Sequence, residues 1–155
     1  MGNWLTVEQS LALWQAPDCE TLKGKRDRAL LALLLACGLR RHEAVDLRIE
    51  HLEHREEHWT IVDLKGNAGH ARNSSITQPG TGIVKDSAKR IGLEKLAPHD
   101  LRRTCARLCH ASGGELEQIQ FLLGHVSIQT TERYLGCKQR IRSAVNDQIG
   151  IEPNR

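Results

Sequence analysis

The chain has 155 residues, with 22 Lys and Arg against 19 Asp and Glu, a net charge of +3, and an aromatic content of only 3%. That length suits one domain that buries its core without covalent staples; the five cysteines are odd in number and follow no secreted-domain spacing, which excludes a disulfide framework and points to reduced thiols in the cytoplasm. Membrane partners are excluded because no apolar run reaches spanning length and the Met1-Gly-Asn-Trp start has no signal-peptide character, whereas so small a charge permits a polyanion without demanding one.

In chain order, Thr6 and Gln9 form a capping-box signal for a first helix that ends near Pro17. A second helix is expected over Lys25 to Cys37. Its Ala29-to-Cys37 run is apolar on nearly every face and predicts a central buried helix, which Gly38 stops. A short helix follows from Arg40 to Leu47. From Leu52 to Thr77 the pattern changes to strands: Trp59 to Leu64 is rich in strand formers, Gly66-Asn-Ala-Gly69 is turn chemistry, and 71–77 can return as the partner, with Lys65 at the hairpin tip. After the Pro79-Gly-Thr-Gly82 break, helices are expected over Ile83 to Ile91, His99 to Ala111, Glu115 to Leu123 and Ser127 to Leu135, punctuated by Gly92, Ser112-Gly-Gly114 and Gly124. A basic amphipathic stretch, Lys138 to Val145, closes the series. The fold class is therefore α+β, mainly α: a helical bundle with a small antiparallel hairpin.

Arginines, a lysine, two histidines and the single tyrosine form a chemically coherent set. Metal-free cleavage of a phosphodiester needs positive charge on the non-bridging oxygens, an acid for the leaving oxygen and a nucleophile. Guanidinium groups bind phosphate through paired hydrogen bonds, histidine and lysine transfer protons, and a phenolate is both nucleophile and tolerable leaving group. Taken singly, each residue has a plainer reading: Arg40 and Arg102 as surface charges, His99 and His125 as helix-end caps, Lys65 as a turn residue, Tyr134 as half-buried core. Metal chemistry has weaker support, since Cys105, Cys109 and His110, or His51, His54 and His58, lack the paired spacing of a zinc site. Gly66 to Gly69 lacks the Gly-Lys-Ser/Thr ending of a phosphate-binding loop.

Four stretches in order carry a resemblance. Gly38-Leu-Arg40-Arg-His-Glu43 with Leu47-Arg48, Leu64-Lys65-Gly66 with Gly69-His-Ala-Arg72, Ala97-Pro-His99-Asp-Leu-Arg102-Arg-Thr104, and Leu122-Leu-Gly-His125 leading to Thr130-Thr-Glu-Arg-Tyr134 resemble the motifs of the tyrosine recombinases, or phage-type integrases. Type IB topoisomerases share this chemistry, but the Leu-Leu-Gly-His box and the short His125-to-Tyr134 spacing fit the recombinases better. The resemblance implies site-specific cleavage and rejoining of double-stranded DNA through a 3′-phosphotyrosine, with no metal or nucleotide cofactor. Arg40 and Arg102 would clamp the scissile phosphate, Lys65 would protonate the 5′ oxygen, His99 would assist proton transfer with Tyr134, and His125 would bond the phosphate. Glu43 would support the arginine box, and Arg41, Arg72, Arg103 and Lys138 would contact DNA. Self-association on DNA is implied as well.

Against that family pattern the chain reads as one shortened catalytic domain, residues 1–155, without the preceding helical domain and with little chain between Arg72 and His99. The alternative reading is a DNA-binding remnant that no longer cleaves.

Overall fold

The computed structural model describes residues 3–62 and 79–137. The described elements are α1 (Val7–Gln15), α2 (Leu22–Ala36), α3 (Arg41–Asp46), a 3-10 turn (Ile49–His51), β1 (Leu52–Arg55), β2 (His58–Ile61), α4 (Pro79–Arg90), α5 (Pro98–Ala111), α6 (Leu116–Leu123) and α7 (Ile128–Leu135). The mainly helical class with a small antiparallel sheet is the one expected from the sequence. None of these helices is long and apolar enough to cross a membrane.

The Thr6 hydroxyl accepts from the Gln9 amide at 3.2 Å and the Gln9 side chain accepts from the Thr6 amide at 3.0 Å, so α1 starts with a complete capping box. Helix α2 begins three residues before the expected Lys25, because Thr21 caps it by accepting from the Gly24 amide at 3.0 Å. Nor is α2 enclosed on nearly every face. Only Leu31 and Leu34 of its apolar run are fully buried, and Ala29 and Ala36 are exposed. Alanine carries so little apolar surface that leaving it in water costs little, so an unbroken apolar run overstates burial.

The strand region also differs from expectation. Residues β1 and β2 share pair in the register Leu52↔Ile61, Glu53↔Thr60, His54↔Trp59 and Arg55↔His58. Their turn lies at Glu56-Glu57, where Glu56 takes a φ of 51° without the glycine or asparagine that normally announces such a bend. The first strand of the one expected hairpin, beginning at Trp59, pairs here with β1; the tip expected at Lys65 and the return strand at 71–77, including Arg72, lie outside the described residues. Helix α4 starts at Pro79 rather than Ile83, since a proline with its fixed φ serves as the first residue of a helix.

Helix α5 is the spine. Its Leu101 packs in one cluster with Leu13, Leu31, Leu34 and Val84 from α1, α2 and α4. One turn and a half later, Ala106 packs in another with Ile119, Leu123 and Leu135 from α6 and α7. Pro98 opens α5, and the Asp100 carboxylate accepts from the Ala97 amide at 2.9 Å. From the middle of α5, the buried Thr104 hydroxyl accepts from the Leu5 amide at 2.9 Å and donates to the Asp100 carbonyl at 2.8 Å. The segment entering α1 is thereby fastened to the helix that carries His99 and Arg102.

Candidate active site

Two chain breaks converge on α5. Gly38, at φ 59°, turns the chain from α2 towards α3 and lies so close to its neighbours that a Cβ there would sit 2.9 Å from Leu123 Cδ2 and 3.3 Å from Cys105 Sγ. Gly124, also at φ 59°, ends α6, and the amides of Gly124 and His125 donate to the carbonyls of Phe121 and Gln120. Between these two turns lies Arg102, only 4% exposed. Its guanidinium donates through Nη1 to the Gly38 carbonyl and through Nη2 to the Leu123 carbonyl. A single side chain thus satisfies the ends of two helices and holds the Arg40 and His125 segments against α5.

Arg40 precedes the first turn of α3. Glu43 grips it twice, accepting from the Arg40 amide at 2.7 Å and from Nη1 at 2.9 Å. The Arg40 side chain keeps 36% exposure, so the pair orients a guanidinium that still faces solvent. Arg40, Arg41, His42, Lys85, His99 and Arg102 line a cleft of about 500 Å³ between α3, α4 and the start of α5. No acidic side chain is among its lining residues in the described part of the chain.

At the edge of this cleft, His99 joins the basic wall to Tyr134. The Tyr134 hydroxyl lies 3.4 Å from His99 Nε2 and 3.5 Å from the His99 carbonyl. The tyrosine ring meets His99 edge-on with centroids 5.6 Å apart, and His125 likewise at 5.3 Å. His125 is oriented from its other side by Thr131, whose hydroxyl is 3.0 Å from Nδ1. Arg103 stacks over the Tyr134 ring with its guanidinium carbon 5.3 Å from the centroid, and its Nη1 is 4.0 Å from the Asp100 carboxylate.

The electrostatics follow from partial burial among cations. Burial, then Arg103 and Arg102, holds His99 below the ordinary imidazole value of 6.5. Burial, then Arg102 and Arg40, does the same to His125. For Tyr134, burial raises the phenol pKa while Arg102 and Arg103 oppose the rise. Near neutral pH the site therefore holds two uncharged imidazoles beside a protonated phenol, an arrangement in which His99 can accept the phenolic proton.

Of the residues singled out from sequence, Arg40, Arg41, His99, Arg102, Arg103, His125 and Tyr134 come together here; Lys65, Arg72 and Lys138 lie outside the described residues. Sequence reasoning missed Thr131 as the partner of His125. Its signal was helical phase: Thr131 lies one turn before Tyr134 and one turn before Leu135 along α7, on the side that is fully buried. Cys105, Cys109 and His110 do not assemble into a metal set, and no group of three His, Cys, Asp or Glu among the described residues could hold a metal ion. All five cysteines are free. Cys105, packed under Gly38, has its thiol pushed up to about 12, chiefly by burial.

The sequence matches the phage integrase family over residues 3–79 and 72–140. The chain belongs to that family. It is 29% identical over 167 residues to the tyrosine recombinase XerD of Neisseria meningitidis serogroup A, covering 84% of this chain and 57% of the relative. It is 26% identical over 179 residues to the tyrosine recombinase XerC of Chlamydia trachomatis serovar L2, covering 93% and 57%. The fold is similar to the crystal structure of XerA recombinase, with a TM-score of 0.63 at 23% identity over 86% of this chain and 60% of that one.

This member of the phage integrase family thus spans a little over half the length of the curated relatives it matches. The alignment to XerD is 167 long, more than the 155 residues available, so that relative carries residues absent here. The two family-matching segments meet at 72–79, where the short connection between Arg72 and His99 begins.

Proposed function

We propose that this chain cleaves and rejoins double-stranded DNA at specific sites through a 3′-phosphotyrosine on Tyr134. The observation that carries the reading is the Tyr134 hydroxyl 3.4 Å from His99 Nε2, at the edge of a cationic cleft with no acid among its described lining residues. Arg40 and the free donors of Arg102 bind the non-bridging oxygens of the scissile phosphate, where negative charge grows as the fifth ligand arrives. His99 takes the phenolic proton while the tyrosine oxygen bonds to phosphorus and the bond to the 5′ oxygen breaks. Lys65 supplies the proton to that oxygen, and His125, held by Thr131, donates to the phosphate. Rejoining runs the same steps backward. No metal or nucleotide cofactor enters this scheme. Arg41, Arg72, Arg103 and Lys138 hold flanking DNA, and copies associate on it; light scattering with and without duplex reads that association.

The test is a pool of nicked duplexes of randomised sequence, incubated with the full chain and denatured. DNA retained covalently by wild type and lost in Tyr134→Phe supports the enzyme.

A second reading, a DNA-binding remnant without cleavage, is favoured by one observation: the alignment to XerD requires residues that this chain does not have. Salt-sensitive duplex binding with no covalent product supports it.

A further inference from the structure

The cleft holds more positive charge, over more space, than one phosphate occupies. At its inner end Arg102 is buried and Arg40 is paired with Glu43. At its outer end stand two cations with a different character. Arg41 Nη1 donates to the Thr81 hydroxyl at 2.9 Å, a bond between α3 and α4 that fixes the guanidinium without neutralising it. Lys85, one turn further along α4, is exposed and has no ion pair or hydrogen bond among the described residues. Both line the same cleft as Arg40 and Arg102, and among the described residues no lining carboxylate competes with an incoming anion.

We propose that the outer end of this cleft is a second phosphate subsite, in which Arg41 and Lys85 hold a DNA backbone phosphate next to the one received by Arg40 and Arg102. The proposal rests on the DNA-cleaving reading above and adds to it a residue, Lys85, and a geometry. A guanidinium fixed by a neutral hydroxyl keeps its full charge and loses little further freedom on binding. A mobile lysine facing it from the opposite wall closes on a point charge without demanding a fixed bidentate geometry. Two neighbouring phosphates gripped at once set the direction in which the strand crosses His99 and Tyr134.

The test is the salt dependence of binding between the full chain and a random-sequence duplex, with the full chain's Tyr134-dependent adduct measured in parallel on the nicked pool. Each lost phosphate contact lowers the slope of log K against log salt by about 0.9. Lys85→Ala and Arg41→Ala are expected each to lower it by about that much. Lys85→Arg should keep the wild-type slope, and Lys23→Ala, on α2 and away from the cleft, should leave it unchanged. Inorganic phosphate at matched ionic strength should displace DNA no better than chloride if the subsite reads a strand and not free phosphate; selective displacement that is lost in Lys85→Ala would assign the subsite to free phosphate and overturn the strand-directing role. An unchanged slope in Lys85→Ala, or an equal drop in Lys23→Ala, overturns the subsite while a Tyr134-dependent adduct leaves the cleavage reading standing. Failure of the wild-type chain to bind duplex overturns both.

Discussion

The Tyr134 hydroxyl sits 3.4 Å from Nε2 of His99, an imidazole that burial and two arginines hold below 6.5. Because the neutral ring is the competent proton acceptor, adduct formation should stay level from neutral pH to below 6.5 and fall only as His99 protonates. His99→Gln should slow single-turnover adduct formation by about 10²–10⁴-fold and remove that acid limb. An acid limb unchanged in the variant would assign the titration to another group.

Arg102 and Arg40 should separate by what they cost. Arg102→Ala strips the partner from two buried carbonyls, at about 1–3 kcal/mol each, and should lower the denaturant midpoint sharply. Arg40→Ala breaks one half-exposed ion pair worth no more than about 1 kcal/mol, so it should fold near normally yet form no adduct. Equal stability losses in the two variants would contradict this division.

Thr131→Val keeps the shape of a fully buried residue and removes the hydroxyl beside His125 Nδ1. Stability should change by about 1 kcal/mol, while adduct formation should fall and be recovered in Thr131→Ser. A ring-nitrogen NMR signal from His125 that does not shift in the valine variant would show that Thr131 does not orient it.

Gly38→Ala should destabilise by about 1–2 kcal/mol for the left-handed backbone alone, with a further loss from contact with Leu123 and Cys105. Chemical denaturation measures this directly, and a neutral substitution would mean that the turn after α2 relaxes freely.

Acid should weaken the fold as well as the chemistry. His99 and His125 both have folded values below 6.5, so as pH drops beneath 6.5 the unfolded chain binds protons that the folded chain refuses. The stability they contribute is present above that value and is lost on acidification through the lowered folded values. Denaturant midpoints at pH 7.5 and 5.5 should differ less in the His99→Gln, His125→Gln double variant than in wild type.

Local chemistry explains which parts of the fold could be read from sequence. Thr6 with Gln9, Pro98 with Asp100, and Gly124 act within a turn of their own position, so α1, α5 and the end of α6 were legible. Glu56 was not, because a glutamate at positive φ carries no signature beyond the strands that force it. The start of α2 lies three residues before the expected Lys25, because the Thr21 hydroxyl caps the helix through the Gly24 amide. At the site, motif spacing brought out Arg40, His99, Arg102, His125 and Tyr134, but the double bond of Arg102 to Gly38 and Leu123 depends on how three separated helices meet. Lys85 belongs to no motif, and only the cleft it shares with Arg41 singles it out.

The reach of Arg102 has a consequence for how the molecule matures. Its two carbonyl partners lie 64 residues before it and 21 after it, and Leu5 meets Thr104 across 99. Contacts so far apart in the chain close late, after local helices have formed. A nascent polypeptide still short of α6 has the arginines but lacks both the Leu123 carbonyl that seats one of them and the tyrosine beyond it. The cleft and the tyrosine beside it thus take shape together with the finished tertiary structure, and a half-made chain carries the arginines without the arrangement that sets them near Tyr134.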